Sequence, residues 1–298
     1  MTLNELEVLQ LLKDGLIEAA EIRGLKLTEN AFGSKRWSKS EKRFFYLLDY
    51  RNNLFVEPKP KTKLGTGVDA VRSSAAMIFN LLGENDFLLD NKIYSEIEYE
   101  KGFLAIKDEN DEPHEAQLDA VFYSSDNSEM YAVEAKLLEW KDSPKNLAES
   151  YLHADKYITK GEEVQTFIDY FKSLISQEKD RYGRYKHNMK RYDSIQMLIH
   201  TLALYNHFTQ KKSSPVRKLT LQNVVWKYDC DEYETEVNEA YLFLKEANER
   251  FVPLFNKIGI DFSIQYSSFQ DFKKRIDFSN DSKRFEYLKR YEIEAKSE

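Results

Sequence analysis

Residues 114–138 constrain the fold most, because polar and apolar side chains alternate there in two stretches separated by a polar turn. Successive side chains of a β-strand point to opposite faces, so the pattern predicts strands at 117–123 and 130–137. The turn between them, SSDNS, consists of residues that favour turn geometry. The hairpin would bury one face and expose charged side chains on the other. These side chains are Asp119, Glu134 and Lys136.

The three charged side chains indicate a specific chemistry. Two carboxylates a few ångströms apart repel each other unless a cation lies between them. Oxygen ligands on a rigid sheet suit Mg²⁺, which keeps several waters and leaves room for the phosphate oxygens of a substrate. A nearby lysine could orient a water or stabilise charge that develops on a phosphate. The set therefore favours phosphodiester hydrolysis, and an amphipathic hairpin with a solvated charged face is the alternative.

The arrangement Asp119 … Glu134–Ala135–Lys136 resembles the PD-(D/E)XK nuclease superfamily, which includes restriction enzymes, junction resolvases and RecB-like exonucleases. The tripeptide pattern recurs elsewhere, as at 57–59, but only 134–136 follows a second alternating strand that carries an Asp. The resemblance implies that Asp119, Glu134 and the Ala135 carbonyl hold Mg²⁺ or Mn²⁺. It also implies that Lys136 orients the attacking water or stabilises the transition state, and that the substrate is nucleic acid, with DNA expected.

A further metal-binding carboxylate is expected on the strand predicted at 92–100. In the superfamily a helix precedes the sheet, and in some branches this helix supplies an acidic ligand. The helix predicted here at 68–83 contains no Glu, and only Asp69 lies near its start. We therefore expect Glu98 to be the additional metal ligand, with Glu96 as an alternative. A solvent-facing acidic edge would explain the same pattern.

Residues 193–208 predict a strongly apolar helix on which Gln196 lies one turn before His200, on the same side. RecB-like nucleases carry Gln-x-x-x-Tyr on the helix after the lysine strand. Gln196 and His200 resemble this motif, with His in place of Tyr, and the resemblance implies a catalytic role for Gln196. A buried, hydrogen-bonded Gln and His without a catalytic role is the alternative.

Residues 181–192, RYGRYKHNMKRY, interleave basic and tyrosine side chains. Positive charge attracts phosphates, and aromatic rings stack on unpaired bases. The segment is therefore the best candidate for nucleic-acid contact in the sequence. The alternative is a solvated turn whose tyrosines pack inward.

Charge and composition narrow the class of protein. The net charge of −7 weighs against a protein that coats nucleic acid without specificity. The single cysteine, Cys230, excludes a disulfide within the chain and a cysteine-based metal site. We expect a cytoplasmic protein without a membrane partner, because no signal peptide or bilayer-length apolar run is evident. The resemblance makes a homodimer one expected assembly, since related nucleases that cut both strands often act as dimers.

The order of predicted elements favours an α/β fold, with a restriction endonuclease-like central mixed sheet flanked by helices. We expect a helical N-terminal extension at 1–62, the nuclease-like core at 63–230 and a C-terminal elaboration packed on it at 231–298. A catalytically inactive nuclease fold that binds nucleic acid or a protein partner is the alternative function. Further helices are predicted at 3–23, 40–52, 145–159, 162–177 and 234–257, and further strands at 103–107, 219–228 and 260–266.

Overall fold

The computed structural model describes residues 5–22, 24, 35–37, 44–46, 54–55, 59, 62, 64, 73–139, 144–211, 213–228 and 230–292. In these ranges the helices are α1 (Glu5–Ile22), α2 (Ser74–Leu82), α3 (Glu163–Ser173), α4 (Ser194–Gln210), α5 (Asp231–Lys257), α6 (Phe269–Lys274) and α7 (Ser282–Leu288). The strands are β1 (Lys35–Trp37), β2 (Phe44–Tyr46), β3 (Phe87–Leu89), β4 (Lys92–Lys107), β5 (Pro113–Ser124), β6 (Glu129–Lys136), β7 (Ile175–Lys179), β8 (Tyr185–His187), β9 (Lys218–Val225), β10 (Asp261–Ser268) and β11 (Ile276–Asp277). Short 3₁₀ turns lie at Glu149–Leu152, Ala154–Lys156 and Lys289–Tyr291.

A mixed seven-stranded sheet organises the molecule, with strand order β10-β9-β6-β5-β4-β3-β11. The β10–β9 and β9–β6 pairs are parallel, and the remaining pairs of this sheet are antiparallel. Parallel strands require long crossovers, and α4 and α5 lie in the crossovers that lead to β9 and β10. The fold class is therefore α/β with a mixed sheet flanked by helices, as predicted.

Both faces of the sheet are covered by helices. Apolar side chains of α1, α2, α6 and α7 pack on one face and form the first core. Apolar side chains of α3, α4 and α5 pack on the other face and form the second core. The helix α4 is buried along most of its length, because it lies between the sheet and its neighbouring helices. Strands that are covered on both faces explain the nearly continuous burial of β6 and β9.

The side chains of β5 switch from one core to the other at Asp119, which lies opposite Glu100 of the neighbouring strand β4. Ala120 packs in the first core, whereas Leu118, two residues earlier on the same strand, packs in the second core. Two such residues would share a face in a regular strand. On the partner strand Glu100 has a φ of 50°, and Glu96 has a φ of 49° beside a shift in pairing register. The shift near Glu96 is a β-bulge, whereas Glu100 keeps the register and lies opposite Asp119 at the point of the change.

Two predicted helices are wrong. Within 40–52, the described residues form β2, which pairs with β1; aromatic residues favour strands, and the rest of that prediction lies outside the described residues. The helix predicted at 145–159 is replaced by two short 3₁₀ turns. There Leu147 and Tyr157 form single β-bridges to other parts of the chain, so long-range pairing overrides the local helical spacing.

Other predictions agree with the structure more closely. Strands predicted at 92–100 and 103–107 are parts of the single strand β4, and the helix predicted at 162–177 ends at Ser173 because β7 begins two residues later. The helix predicted at 68–83 begins at Ser74, where the Ser73 side chain caps it, and residues 68–72 of that prediction lie outside the described residues. Predictions at 3–23, 193–208, 219–228, 234–257 and 260–266 are confirmed to within a few residues.

The C-terminal segment 231–298 is more than an elaboration of the core. It supplies both edge strands of the seven-stranded sheet, since β10 pairs with β9 and β11 pairs with β3. It also holds the N-terminal helix, because α1 packs against α7 and the following 3₁₀ turn in the first core. None of the helices in the described ranges combines the length and apolar character that crossing a bilayer requires.

Candidate active site

Asp119 lies where β5 and β6 separate. The ladder between the two strands ends at the pair Ala120–Val133. Beyond this pair, the Asp119 carboxylate takes the place of a backbone carbonyl as hydrogen-bond acceptor. Its Oδ2 accepts a hydrogen bond of 2.6 Å from the Ala135 N–H. The N–H and C=O of one strand residue point to the same side, so the Ala135 carbonyl also faces β5. Asp119 and Ala135 therefore meet at the split between the strands.

Glu134 and Lys136 lie side by side at the end of β6. The Lys136 Nζ is 2.8 Å from the Glu134 Oε1. The predicted hairpin face therefore does bring these two charges together. That face is not open, however, because α4 covers it: Glu134 is only 4% exposed, and the Lys136 side chain is 15% exposed.

Gln196 of α4 joins both members of this pair. Its Oε1 accepts a hydrogen bond of 2.6 Å from the Lys136 Nζ, and its Nε2 donates one of 2.7 Å to the Glu134 Oε1. One turn later, the His200 Nε2 lies 3.1 Å from the Glu134 Oε2. Gln196 and His200 are one helical turn apart on α4, as the sequence indicates, and both side chains lie against the Glu134 carboxylate.

The start of α4 is held in place from two sides. The Asp193 carboxylate caps the helix by accepting from the Gln196 N–H at 3.1 Å. Just before this cap, the Glu239 carboxylate of α5 accepts from the three consecutive backbone N–H groups of residues 190–192, at 2.8, 2.8 and 2.9 Å. A carboxylate that binds several N–H groups fixes the backbone strongly. Glu239 therefore positions the helix that carries Gln196.

The surroundings of Glu134 and Lys136 favour the charged form of each side chain. Burial acts to raise the pKa of Glu134, but Lys136 and His200 outweigh it and lower the pKa to about 2. Burial likewise acts to lower the pKa of Lys136, but the charges of Glu134 and Asp193 outweigh it and raise the pKa above its usual value. Lys136 is therefore an ammonium at neutral pH, a donor of protons in hydrogen bonds rather than a general base.

The surroundings of Asp119, in contrast, disfavour its charged form. Burial and the charge of Glu134 raise the pKa of Asp119 well above its usual value, although the Ala135 N–H and Lys136 act against this. A carboxylate that is disfavoured beside another carboxylate is the arrangement that a cation would relieve. The charge of Glu100 also raises the pKa of Asp119.

The expected additional ligand, Glu98, does not join the cluster. Its carboxylate accepts a hydrogen bond of 2.6 Å from Lys101, and its charge acts on Tyr123 instead. Tyr99 pairs with Ala120 and Lys101 pairs with Leu118, so Glu100, rather than Glu98, lies opposite Asp119. A groove of about 650 Å³ that is lined by residues 97–102 and Gln117 reaches Glu100 from outside.

The oxygen groups of the cluster are of the type that binds a divalent cation which keeps most of its waters. Mg²⁺ is commonly bound by one or two carboxylates together with substrate phosphates. Asp119, Glu134 and the Ala135 carbonyl could supply such a set at the strand split. Within the described ranges, no group of three or more His, Cys, Asp or Glu residues is arranged so that it could hold a metal ion. The two Glu134 oxygens contact Lys136, Gln196 and His200, so Glu134 would exchange one of these contacts for the metal.

Glu236 of α5 is a buried acid beside the cluster. It is 2% exposed, and its Oε2 has no hydrogen-bond partner among the described residues. Burial, together with the charges of Glu239 and Asp193, raises the pKa of Glu236 to about 8, although Lys136 and Arg191 act in the other direction. Glu236 is therefore largely protonated at neutral pH and lies within the fields of both basic residues.

One part of the basic segment 181–192 presents a tyrosine to solvent, and another part packs a tyrosine inward. Tyr182 is 66% exposed at the tip of the β7–β8 hairpin, whereas Tyr192 is 1% exposed and packs in the second core. The hairpin itself was not predicted. Sequence reasoning also missed Glu239 and Glu236, since neither has a local motif and each approaches the site only through the path of α5.

Comparison of the sequence with models of known protein families, with curated proteins and with solved structures gives no significant match. The inference of function therefore depends on the residues and geometry of the cluster.

Proposed function

We propose that the protein is a metal-dependent nuclease that hydrolyses phosphodiester bonds of nucleic acid, with DNA as the expected substrate. The observation that supports this most is the position of Asp119. Its carboxylate lies at the split between β5 and β6, next to the buried Glu134–Lys136 pair, and burial and Glu134 raise its pKa well above the usual value. A site that disfavours its own negative charge is suited to a cation and to a phosphate held by that cation.

Each residue has a distinct role in this proposal. Asp119, Glu134 and the Ala135 carbonyl would hold Mg²⁺ or Mn²⁺. When bound, the ion would polarise the scissile phosphate and make an attacking water more acidic. An ammonium has three donors, and the contacts with Gln196 and Glu134 use two of those on Lys136. The third could donate to the phosphate or to the water, which stabilises the charge of the transition state.

Gln196 acts on Lys136 and Glu134 together. Its amide donates to the carboxylate and accepts from the ammonium, so it sets the angle between them. It also gives Lys136 a neutral partner when Glu134 turns toward a metal. Gln196 is therefore assigned to positioning within the catalytic group.

The test is a cleavage assay on labelled single-stranded, duplex and branched DNA and on an RNA strand, with Mg²⁺, Mn²⁺ or EDTA. We expect cleavage that requires the metal and is lost in Asp119→Ala and in Lys136→Ala. Lys101→Ala is the matched control, because Lys101 lies on β4 and is paired with Glu98 outside the cluster. Cleavage that persists in both site variants would contradict the assignment.

One observation favours a second function. Both oxygens of Glu134 already contact protein side chains, which is compatible with a closed site that never takes up a metal. The protein would then be an inactive nuclease fold that binds nucleic acid or a protein partner. The two functions differ in whether a divalent cation binds through Asp119 and Glu134.

A further inference from the structure

The turn between β7 and β8 is held in one conformation by Asp180. The carboxylate of Asp180 accepts from the N–H groups of Tyr182 and Arg184 at 2.8 and 3.0 Å. It also accepts from the Arg184 Nε and from the Asn146 amide, each at 3.0 Å. Gly183 adopts a φ of 76°, which suits glycine at this point of a tight turn. The turn is therefore pre-organised without support from the core.

This turn presents an aromatic ring to solvent. Tyr182 is 66% exposed, although a tyrosine usually buries much of its ring. The guanidinium carbons of Arg181 and Arg184 lie 4.7 and 5.3 Å from the centre of the ring. Both guanidinium groups thus lie over the exposed ring and form cation–π contacts with it within the turn.

A basic groove of about 670 Å³ lies beside the hairpin. It runs between residues 186–191 and the first turns of α5, and its charged side chains are the basic Lys186, Lys190 and Arg191 and the acidic Glu232. Lys186 is paired with Glu178 at 2.6 Å, so part of the charge is already balanced. The groove thus places three basic side chains next to β8, the strand that follows the turn with the exposed Tyr182 ring.

The basic groove adjoins the candidate active site. Residues 190 and 191 line the groove. They are followed, after Tyr192, by Asp193, which caps the start of α4. The charges of Arg191 and Lys136 both act to lower the pKa of Glu236, so both side chains lie near this buried acid. A chain that follows the groove would therefore reach the side of the sheet on which Lys136 lies.

We propose that the hairpin turn and the basic groove bind a single-stranded segment of the nucleic-acid substrate, with Tyr182 stacked on an unpaired base and Lys190 at a phosphate. Stacking on a protruding ring requires a base face that is free, which single strands offer and duplexes do not. The positive groove complements the phosphate backbone. The assignment of a substrate rests on the proposed function, since the strand would lead to the Asp119–Glu134–Lys136 cluster.

The experiment measures binding by the full-length chain in EDTA, so that hydrolysis does not interfere. Fluorescence anisotropy of a labelled oligothymidylate and of a duplex of equal length is recorded over a range of salt concentrations. We expect Tyr182→Ala to weaken single-strand binding roughly five-fold or more, and Tyr182→Phe to retain it, because the ring is kept. We expect Lys190→Gln to reduce the slope of log K against log salt concentration by about 0.7.

Lys257→Gln is the matched charge control. Lys257 is 64% exposed at the far end of α5, and 25 helical residues from Glu232 correspond to about 37 Å from the groove. Single-strand binding that is unchanged in Tyr182→Ala, or a duplex bound more tightly than the single strand, would overturn the inference even if the protein cleaves DNA. Ring-dependent single-strand binding by a protein without hydrolytic activity would support the inference and contradict the proposed function.

Discussion

Removing the charge of Glu134 and of Asp119 should change stability in opposite directions. The fold favours the Glu134 carboxylate, whose pKa is lowered from 4.5 to about 2. Such a group contributes stability above its unfolded pKa, and the contribution is lost as the pH falls toward 2. At about 1.4 kcal/mol for each tenfold change in proton affinity, the difference corresponds to about 3 kcal/mol at neutral pH. We therefore expect Glu134→Gln to destabilise the protein by about that amount.

The fold disfavours the Asp119 carboxylate. Burial and the charge of Glu134 raise its pKa, so the charged form lowers stability above the ordinary pKa of an aspartate. In Asp119→Asn the amide oxygen could still accept from the Ala135 N–H, while the unfavourable charge is removed. We expect this variant to be more stable than the wild type by roughly 0.5–2 kcal/mol, as is common when a functional residue is neutralised.

Urea unfolding in EDTA at neutral pH measures both effects, provided that the m-values agree. Glu98→Gln is the control, because its carboxylate is 46% exposed, and its effect should stay within about 0.5 kcal/mol. If Asp119→Asn and Glu134→Gln shift stability in the same direction, the electrostatic description of the cluster is refuted.

Three further variants test the surroundings of the cluster. In Glu236→Gln the part of the fall in stability that Glu236 causes between about pH 4.5 and 8 should disappear. Urea unfolding should give nearly equal stabilities of variant and wild type near the lower pH, and a gain of up to about 5 kcal/mol for the variant near the upper one. Stability profiles of the two proteins that run parallel would contradict this. In Glu239→Ala three backbone N–H groups lose their acceptor, so urea unfolding should show a loss of about 2–4 kcal/mol in stability. The same variant should reduce kcat more than it changes KM. An effect on KM alone would contradict the positioning role. Gln196→Leu should lower the cleavage rate roughly 10- to 100-fold, and an unchanged rate in the kinetic assay would remove Gln196 from the site.

Periodicity in the sequence predicts the regular parts of this fold. Long elements such as α4 and α5 have many residues that report the same period, and their predictions are confirmed. The failures occur where contacts distant in the sequence decide the conformation. Residues 145–159 have helical spacing, but the β-bridge of Leu147 to the hairpin and of Tyr157 to β4 gives them an extended path with short turns.

The same distinction applies to the candidate site. The alternation of β6 brings Glu134 and Lys136 together, and spacing on α4 puts Gln196 beside them. Glu98 does not join the cluster, because the register between β4 and β5 places Glu98 opposite Val121 and Glu100 opposite Asp119, and this register cannot be read from a residue pattern. Glu239 could not be predicted at all, because only the packing of α5 against the start of α4 brings it near.

Calorimetric titration with Mn²⁺ tests the central claim most directly, because a nuclease of the proposed kind must take up a divalent cation at the strand split. We expect saturable binding to the wild-type protein, loss of that binding in Asp119→Asn and retention in Glu98→Gln. Absence of binding, or binding that is unchanged in Asp119→Asn, would contradict the assignment of Asp119 and Glu134 as a metal-dependent hydrolytic site.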